Sequence, residues 1–95
     1  MSAVLLKDQA AIAPLLHLAM LSKGESGIVT GLAAPLDASQ SVLCQRLLEL
    51  GFSAGETVRV MAESFPQRDP MAIRVGNSTF ALRRREAALV YIARL

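Results

Sequence analysis

Apolar and polar residues alternate along the second half of the chain, and this period of two predicts short β-strands. Val58 and Val60 share one face of the pleat in the first of these runs, while Arg59 and Met61 share the other. The alternation returns in three later runs, at residues 73–75, 80–83 and 87–93. Most of the domain is therefore expected to be β-structure.

Turn residues separate these runs. Gly76-Asn77-Ser78 predicts a tight hairpin, because Gly and Asn tolerate the positive φ of such turns. Asp69-Pro70 predicts a corner, in which the aspartate caps nearby backbone N–H groups. A turn-forming role explains Asp69 more simply than a catalytic carboxylate does.

The stretch before these strands has a helical period. Leu43, Leu47 and Leu50 fall on one face at i, i+4 and i+7. Gly51 suits the left-handed position that ends a helix, and Phe52 would then pack back on Leu47. Candidate N-cap oxygens are those of Asp37, Ser39 and Ser41. One helix is thus expected, ending at Gly51.

Two apolar segments lie upstream of this helix. Residues 28–32 predict the first strand, with Ile28, Thr30 and Leu32 on one side of the pleat. Residues 15–21 form a compact apolar cluster, which a glycine-containing turn separates from that strand. The helix is therefore expected to be inserted after the first strand.

Residues 1–14 are compatible with a short amphipathic helix that Pro14 ends, because proline disfavours the α region for the residue before it. The chain thus divides into an N-terminal extension, residues 1–14, and one domain, residues 15–95. The extension is interpreted either as a docking arm or as a terminus that lies over the domain. The two alternatives stay open.

The composition fits one small domain with a thin core. The chain has 95 residues and an apolar content of 53%, which leaves some apolar side chains for the surface or a partner. Its single cysteine, Cys44, excludes an internal disulfide framework and favours a reducing cytoplasm. The most apolar window, residues 10–21, is too short to span a bilayer and contains Pro14.

Positive charge is concentrated in residues 46–95, where all eight arginines lie. Arginine forks engage carboxylates bidentately, so these side chains are candidates for contact with an acidic partner. The alternatives are that these arginines only form the solvated faces of strands, or that Arg83 pairs internally with Asp69 or Glu86. The candidate partner-binding residues are Arg59, Arg74, Arg83, Arg84 and Arg85.

No constellation for catalysis is evident. The chain offers no nucleophile with a neighbouring base, and Gly24-Glu25-Ser26-Gly27 does not lead into a phosphate-binding helix. A specific metal site is not expected, because the one histidine, His17, and Cys44 lie in different elements. No cofactor is expected to be required, although adventitious divalent ions at surface carboxylates are possible. With four aromatic residues there is little material for base stacking, so no nucleic acid is expected.

These features occur in an order that resembles one known family. The matching segments are Leu18-x-x-Leu21, Gly24-x-x-Gly27-x-Val29, Arg46-Leu47-x-x-Leu50-Gly51-Phe52-x-x-Gly55, Asp69-Pro70, Ile73-x-Val75 and Ala81-Leu82-Arg83. From about residue 15 onward the chain resembles FeoA, the small cytoplasmic component of bacterial ferrous iron transport. One position departs from the pattern, since Arg68 stands where members usually carry glycine before the Asp-Pro pair.

The resemblance implies a small SH3-like barrel of about five strands. It also implies a non-enzymatic accessory role toward FeoB, the membrane protein that carries a GTPase domain and the iron permease. The protein would work in the cytoplasm, at the inner face of the membrane, by activating, assembling or modulating FeoB. Residues that the resemblance implies to be structural are Gly51, Phe52, Gly55, Asp69, Pro70 and Leu82.

Two other classes of function stay open. The first is a regulatory small-barrel module that acts through a metal-dependent repressor or nucleic acid, because the same fold forms the C-terminal domain of repressors related to DtxR. The second is a self-assembling structural module, because the apolar content is high.

Overall fold

A computed structural model describes residues 16–95, so the prediction for residues 1–14 lies outside the described residues. The strands are β1 (Leu16–His17), β2 (Ser26–Leu32), β3 (Thr57–Glu63), β4 (Met71–Val75), β5 (Ser78–Leu82) and β6 (Val90–Arg94). The helices are α1 (Ala38–Leu50) and α2 (Arg84–Ala87), and a 3-10 turn, Leu18–Met20, follows β1. The domain is mainly β, as the alternation predicted.

The strands form a single antiparallel sheet in the order β1-β6-β2-β3-β4-β5. The sequence predicted a closed barrel of about five strands. The mainly β fold with an inserted helix is confirmed, but the barrel is not: across residues 16–95 the sheet has six strands, and its outer strands, β1 and β5, do not pair with each other. The extra strand, β1, has only two residues, too few to show a period.

Helix α1 lies between β2 and β3, where the sequence placed it. Asp37 caps its start, since Asp37 Oδ1 accepts a hydrogen bond from the backbone N–H of Gln40 at 2.8 Å. Gly51 ends it in the left-handed region at φ 112°. The N–H of Phe52 then donates to the carbonyl of Leu47 at 3.0 Å, which completes the predicted Schellman-type cap.

The core lies on the inner face of the sheet and includes Leu47 of α1. Phe52 is fully buried, and its ring lies 6.3 Å from that of Phe80, with the planes tilted by 56°. From α1, Leu47 and Cys44 are the buried residues. The strands bury Val29, Val58, Val60, Met71, Ile73, Val75, Leu82, Val90 and Ile92.

Strand β2 buries a different set of residues from the predicted one. Gly27 and Val29 are buried, whereas Thr30 is exposed. The register with β6 shifts between Val29 and Gly31, which marks a bulge. Because a bulge interrupts the period of two, Ile28, Thr30 and Leu32 do not form the continuous face that simple alternation predicts.

The basic residues 83–85 lie outside the sheet, although the alternating pattern predicted that the strand continues to Arg83. Strand β5 ends at Leu82, and α2 begins at Arg84. Glu86 Oε1 accepts from the N–H of Arg83 at 2.7 Å, and Asp69 Oδ1 accepts from that of Arg84 at 3.0 Å. Two carboxylates thus bind the amides that open a helical turn, which explains why the strand stops here.

Candidate functional site

The five arginines predicted to contact a partner occupy three places in the fold. Arg59 and Arg74 lie on the outer face of the sheet, Arg83 and Arg85 lie beside Asp69, and Arg84 turns inward. The structure therefore does not bring them into one basic edge.

Arg59 on β3 and Arg74 on β4 face each other directly across the two strands. Both are exposed, because their neighbours Val58, Val60 and Ile73 take the inner face. Neither guanidinium pairs with an acid within residues 16–95, where the ion pairs are Arg68–Glu63 and Arg94–Glu25. Two like charges placed directly opposite destabilise a sheet, so this pair costs the fold stability.

A shallow groove adjoins the arginine pair. Its lining is formed by Ser26, Gly55, Glu56, Thr57, Val58, Arg59, Arg74 and Gly76. Glu56 contributes one carboxylate to this lining, but it does not come within ion-pair distance of either arginine. The groove therefore keeps two unpaired guanidinium groups at its rim.

Arg83 and Arg85 line a small depression together with Asp69. Both arginines are exposed, whereas Asp69 is half-buried. The predicted pairing of Arg83 with Asp69 or Glu86 is wrong for its side chain, since Glu86 binds the backbone N–H of Arg83 and Asp69 that of Arg84. The guanidinium groups of Arg83 and Arg85 make no ion pair within the described part of the chain.

The side chain of Arg84 holds two parts of the fold together. Its Nη2 donates to the carbonyl of Ala19 at 2.6 Å, and its Nη1 approaches Met71 Sδ at 3.9 Å. Ala19 is buried in the 3-10 turn, so this guanidinium ties α2 to the start of the domain. The side chain is thereby occupied within the fold.

The residues that the resemblance implied to be structural lie in turns and in the core. Gly55 has φ 94°, and its N–H donates to the carbonyl of Val29 at 2.7 Å. Leu82 and Phe52 are buried, and the carbonyl of Pro70 accepts from the N–H of Ser64 at 3.1 Å. Asp69 binds the start of α2, a contact 15 residues along the chain that no local turn rule identifies.

Sequence reasoning missed the role of Arg68. Its φ is 63°, in the left-handed region that favours glycine, which accounts for the glycine usual there in the family pattern. The side chain instead bridges segments: Nε bonds to Glu63 Oε2, and Nη2 donates to the carbonyl of Leu21 at 3.1 Å. The signal available in the sequence was an arginine at the position before Asp-Pro where the family pattern usually has glycine.

Two carboxylates are held ionised by their partners. The hydrogen bond from Arg68 lowers the pKa of Glu63, and the backbone N–H of Lys23 adds to that effect. The backbone N–H of Ser22 lowers the pKa of Glu25, followed by the hydrogen bond from Arg94. These pairs take up Arg68 and Arg94, so the exposed arginines without an ion pair within residues 16–95 are Arg46, Arg59, Arg74, Arg83 and Arg85.

Within residues 16–95 no three His, Cys, Asp or Glu side chains gather into a group that would hold a metal ion. Cys44 is buried, and its thiol points at the carbonyl of Ala33, 3.6 Å from Sγ. None of the helices in this part of the chain is long and apolar enough to cross a membrane.

The fold and the exposed arginines define the class of a small, mainly β domain with separate basic groups on its surface. The model of the FeoA domain matches residues 16–94, and the chain therefore belongs to the FeoA family. Comparison with curated proteins gave no match. FeoA proteins are associated with ferrous iron transport, and this chain shares that association through its family.

Solved structures of FeoA proteins have the same fold. FeoA of Stenotrophomonas maltophilia, solved with zinc, is 35% identical, with 82% of this chain and 89% of that chain covered and a TM-score of 0.72. That protein is described as a prokaryotic SH3 domain protein and a candidate activating factor for ferrous iron transport. FeoA of Chlorobium tepidum is 28% identical, with 84% and 70% covered and a TM-score of 0.69.

Manganese-dependent transcriptional repressors also contain this fold. One of them, solved with manganese, has a TM-score of 0.71 at 16% identity, and the match covers 87% of this chain but 38% of the repressor. At this identity the likeness concerns the fold alone.

Proposed function

We propose that this protein is a non-enzymatic accessory component of bacterial ferrous iron uptake, which binds the cytoplasmic part of an FeoB-type transporter and GTPase and modulates its activity or assembly. The observation that carries the proposal is the set of exposed arginines without internal partners, on a domain of the FeoA family. The protein then works in the cytoplasm, at the inner face of the membrane whenever FeoB holds it.

The arginine pair on the sheet supports a binding role because it is unfavourable for the free fold. Arg59 and Arg74 repel each other across adjacent strands, and an acidic side chain of a partner removes that repulsion. Arginine presents its donors in a planar fork that fits a carboxylate bidentately. Arg83 and Arg85 offer a second contact of the same chemistry.

We do not assign Arg84 to this surface, although the sequence named it as a candidate contact residue. Its guanidinium binds the carbonyl of Ala19, so its removal would disturb the fold and confuse a binding test. No cofactor is required for such docking. Divalent ions would bind only adventitiously, at surface carboxylates.

The test is a titration of the cytoplasmic domain of the cognate FeoB with this protein, in which binding and GTP hydrolysis are both measured. Wild type is compared with the double variants Arg59→Ala/Arg74→Ala and Arg83→Ala/Arg85→Ala, neither of which removes an ion pair within residues 16–95. We expect saturable binding that at least one double variant weakens about tenfold or more, since a charge-assisted pair contributes about 1.5–3 kcal/mol. Binding that both variants leave unchanged would contradict the role of the arginines.

A further inference from the structure

Strand β5 is an edge of the sheet, and its backbone has an open side. The loop Gly76-Asn77 joins β4 to β5, and only Gly76 has a positive φ, as the type II′ hairpin requires. In such a hairpin the flanking pair, Val75 and Ser78, exchanges both hydrogen bonds, and bonded pairs alternate from there. Phe80 and Leu82 therefore bond to β4, whereas the N–H and C=O groups of Thr79 and Ala81 point away from the sheet.

The features that usually protect such an edge are missing from β5. Ser78–Leu82 carries no proline and no charged residue, and its register with β4 runs without a bulge. The backbone groups of Thr79 and Ala81 take part in no loop or cap hydrogen bond within residues 16–95. The edge is therefore suited to pair with one more strand.

The side chains beside this edge form two rows on the outer face of the sheet. The pairing register aligns one row as Ser26, Arg59, Arg74 and Thr79, which crosses from β2 to β5. The next row is Ala62, Ala72 and Ala81. A strand added at β5 would continue both rows, so it would meet arginine in one row and small side chains in the other.

We propose that β5 docks an extended acidic segment of the partner protein as a seventh, antiparallel strand. The residue of that segment opposite Thr79 is acidic, because it lies in the row of Arg74 and Arg59. The residue opposite Ala81, two positions away on the same face, is bulky and apolar, because the alanine row leaves space above it. Strands lie about 4.8 Å apart, so Arg74 and the acidic residue are separated by about 10 Å at Cα, which their extended side chains bridge.

The inference rests on the proposed function for the identity of the partner, and charge complementarity selects that partner over a second copy of this chain. A second copy would bring the uncharged Ser78–Leu82 to the edge and leave the arginines unpaired. β-Addition is a common mode of peptide recognition, in which main-chain hydrogen bonds supply affinity and alternate side chains supply specificity.

The test is residue-resolved hydrogen exchange of this protein, alone and with full-length FeoB in membrane vesicles. We expect the amides of Thr79 and Ala81 to exchange at least tenfold more slowly in the complex, while that of Phe80, already bonded to β4, changes less. Binding without this alternating protection would overturn the inference and leave the proposed function standing. Absence of any binding would remove both. If the exchange protection of Thr79 and Ala81 grows with protein concentration in the absence of FeoB, a second copy of this chain occupies the edge. That result would overturn the proposal that an acidic segment of the partner binds there.

A charge reversal gives a second, independent readout. Arg74→Glu should weaken binding to FeoB vesicles at least tenfold, because it places a carboxylate in the row that the acidic residue enters. Lys23→Glu changes the net charge by the same amount in the exposed turn before β2, three strands away from β5 in the sheet, and it should weaken binding less than threefold. Equal losses from both variants would show that only overall charge matters, which contradicts docking at β5.

Discussion

Arg84 and Arg85 are neighbours in sequence, but their side chains have different surroundings. Arg84 reaches the buried carbonyl of Ala19, and Arg85 is exposed beside Asp69. Arg84→Ala should lower the free energy of unfolding by about 1.5–3 kcal/mol, because it leaves a buried carbonyl without its charged donor. Arg85→Ala should change it by less than about 0.5 kcal/mol, as is usual for exposed sites. Urea denaturation measures both, and equal effects would contradict the inward role of Arg84.

Arg68 combines a backbone angle that favours glycine with a side chain that bridges two segments. Arg68→Gly and Arg68→Ala both remove the bonds to Glu63 and Leu21, but only the glycine variant also relieves the left-handed strain. We therefore expect Arg68→Gly to be the more stable of the two variants by about 1 kcal/mol. Thermal or urea unfolding compares them, and the opposite order would show that the positive φ carries no cost here.

At the scale of the element, α1 depends on its left-handed end. A Cβ at Gly51 would meet only ordinary contacts with Val75 at 3.9–4.0 Å, so the cost of a side chain there is conformational. Gly51→Val should destabilise the fold by about 1–2 kcal/mol, because φ 112° is unfavourable for a β-branched residue. Gly31→Ala is the matched control, since nothing lies within 4 Å and its φ is not positive. Comparable losses in the two variants would contradict this account.

Local patterns predicted the elements well where the pattern was long. The cap of α1, the hairpin at Gly76-Asn77 and the alternation in β3 to β5 all follow from spacing and turn chemistry. Strand β1 was missed because two residues show no period. Helix α2 was missed because four residues show no helical period and one of its two capping carboxylates, Asp69, is far away in sequence. The open sheet edge likewise depends on how strands pair, which no single run of residues specifies.

At the scale of the whole molecule, two ion pairs tie segments together, one between residues 69 positions apart and one between residues five positions apart. Glu25 binds Arg94 at 2.8 Å, and Glu63 binds Arg68. Both carboxylates have a pKa below the ordinary 4.5, so the unfolded chain takes up protons before the folded protein does. The two ion pairs stabilise the folded protein fully above about pH 5.5. This stabilisation is lost as the pH falls below 4.5 and through the pKa values that the two glutamates have in the folded protein.

Unfolding midpoints in urea between pH 6 and pH 3 measure this dependence. The double variant Glu25→Gln/Glu63→Gln should be less stable than wild type near neutral pH and should lose less stability on acidification. The other carboxylates are common to both proteins, so the difference between the two curves isolates this pair of glutamates. Parallel curves would contradict the contribution of the ion pairs.

The basic surface could be predicted from the sequence only in part. Clustering of arginine in the second half was evident, but their separation into Arg59 with Arg74, Arg83 with Arg85, and the inward Arg84 depends on strand register and on the start of α2. Three consecutive arginines have the same side-chain chemistry, so composition does not distinguish a contact residue from a structural one. The structure makes that distinction through the buried carbonyl of Ala19.

The most direct test of the central claim is the affinity of this protein for membrane vesicles that contain the cognate FeoB, measured beside vesicles of the same lipid without it. We expect saturable binding to the vesicles that contain FeoB and no binding to the vesicles without it. The binding should weaken as ionic strength rises, because salt screens the exposed arginines. Equal binding to both kinds of vesicle, or binding to neither, would contradict the claim that this FeoA-family domain acts by docking on FeoB.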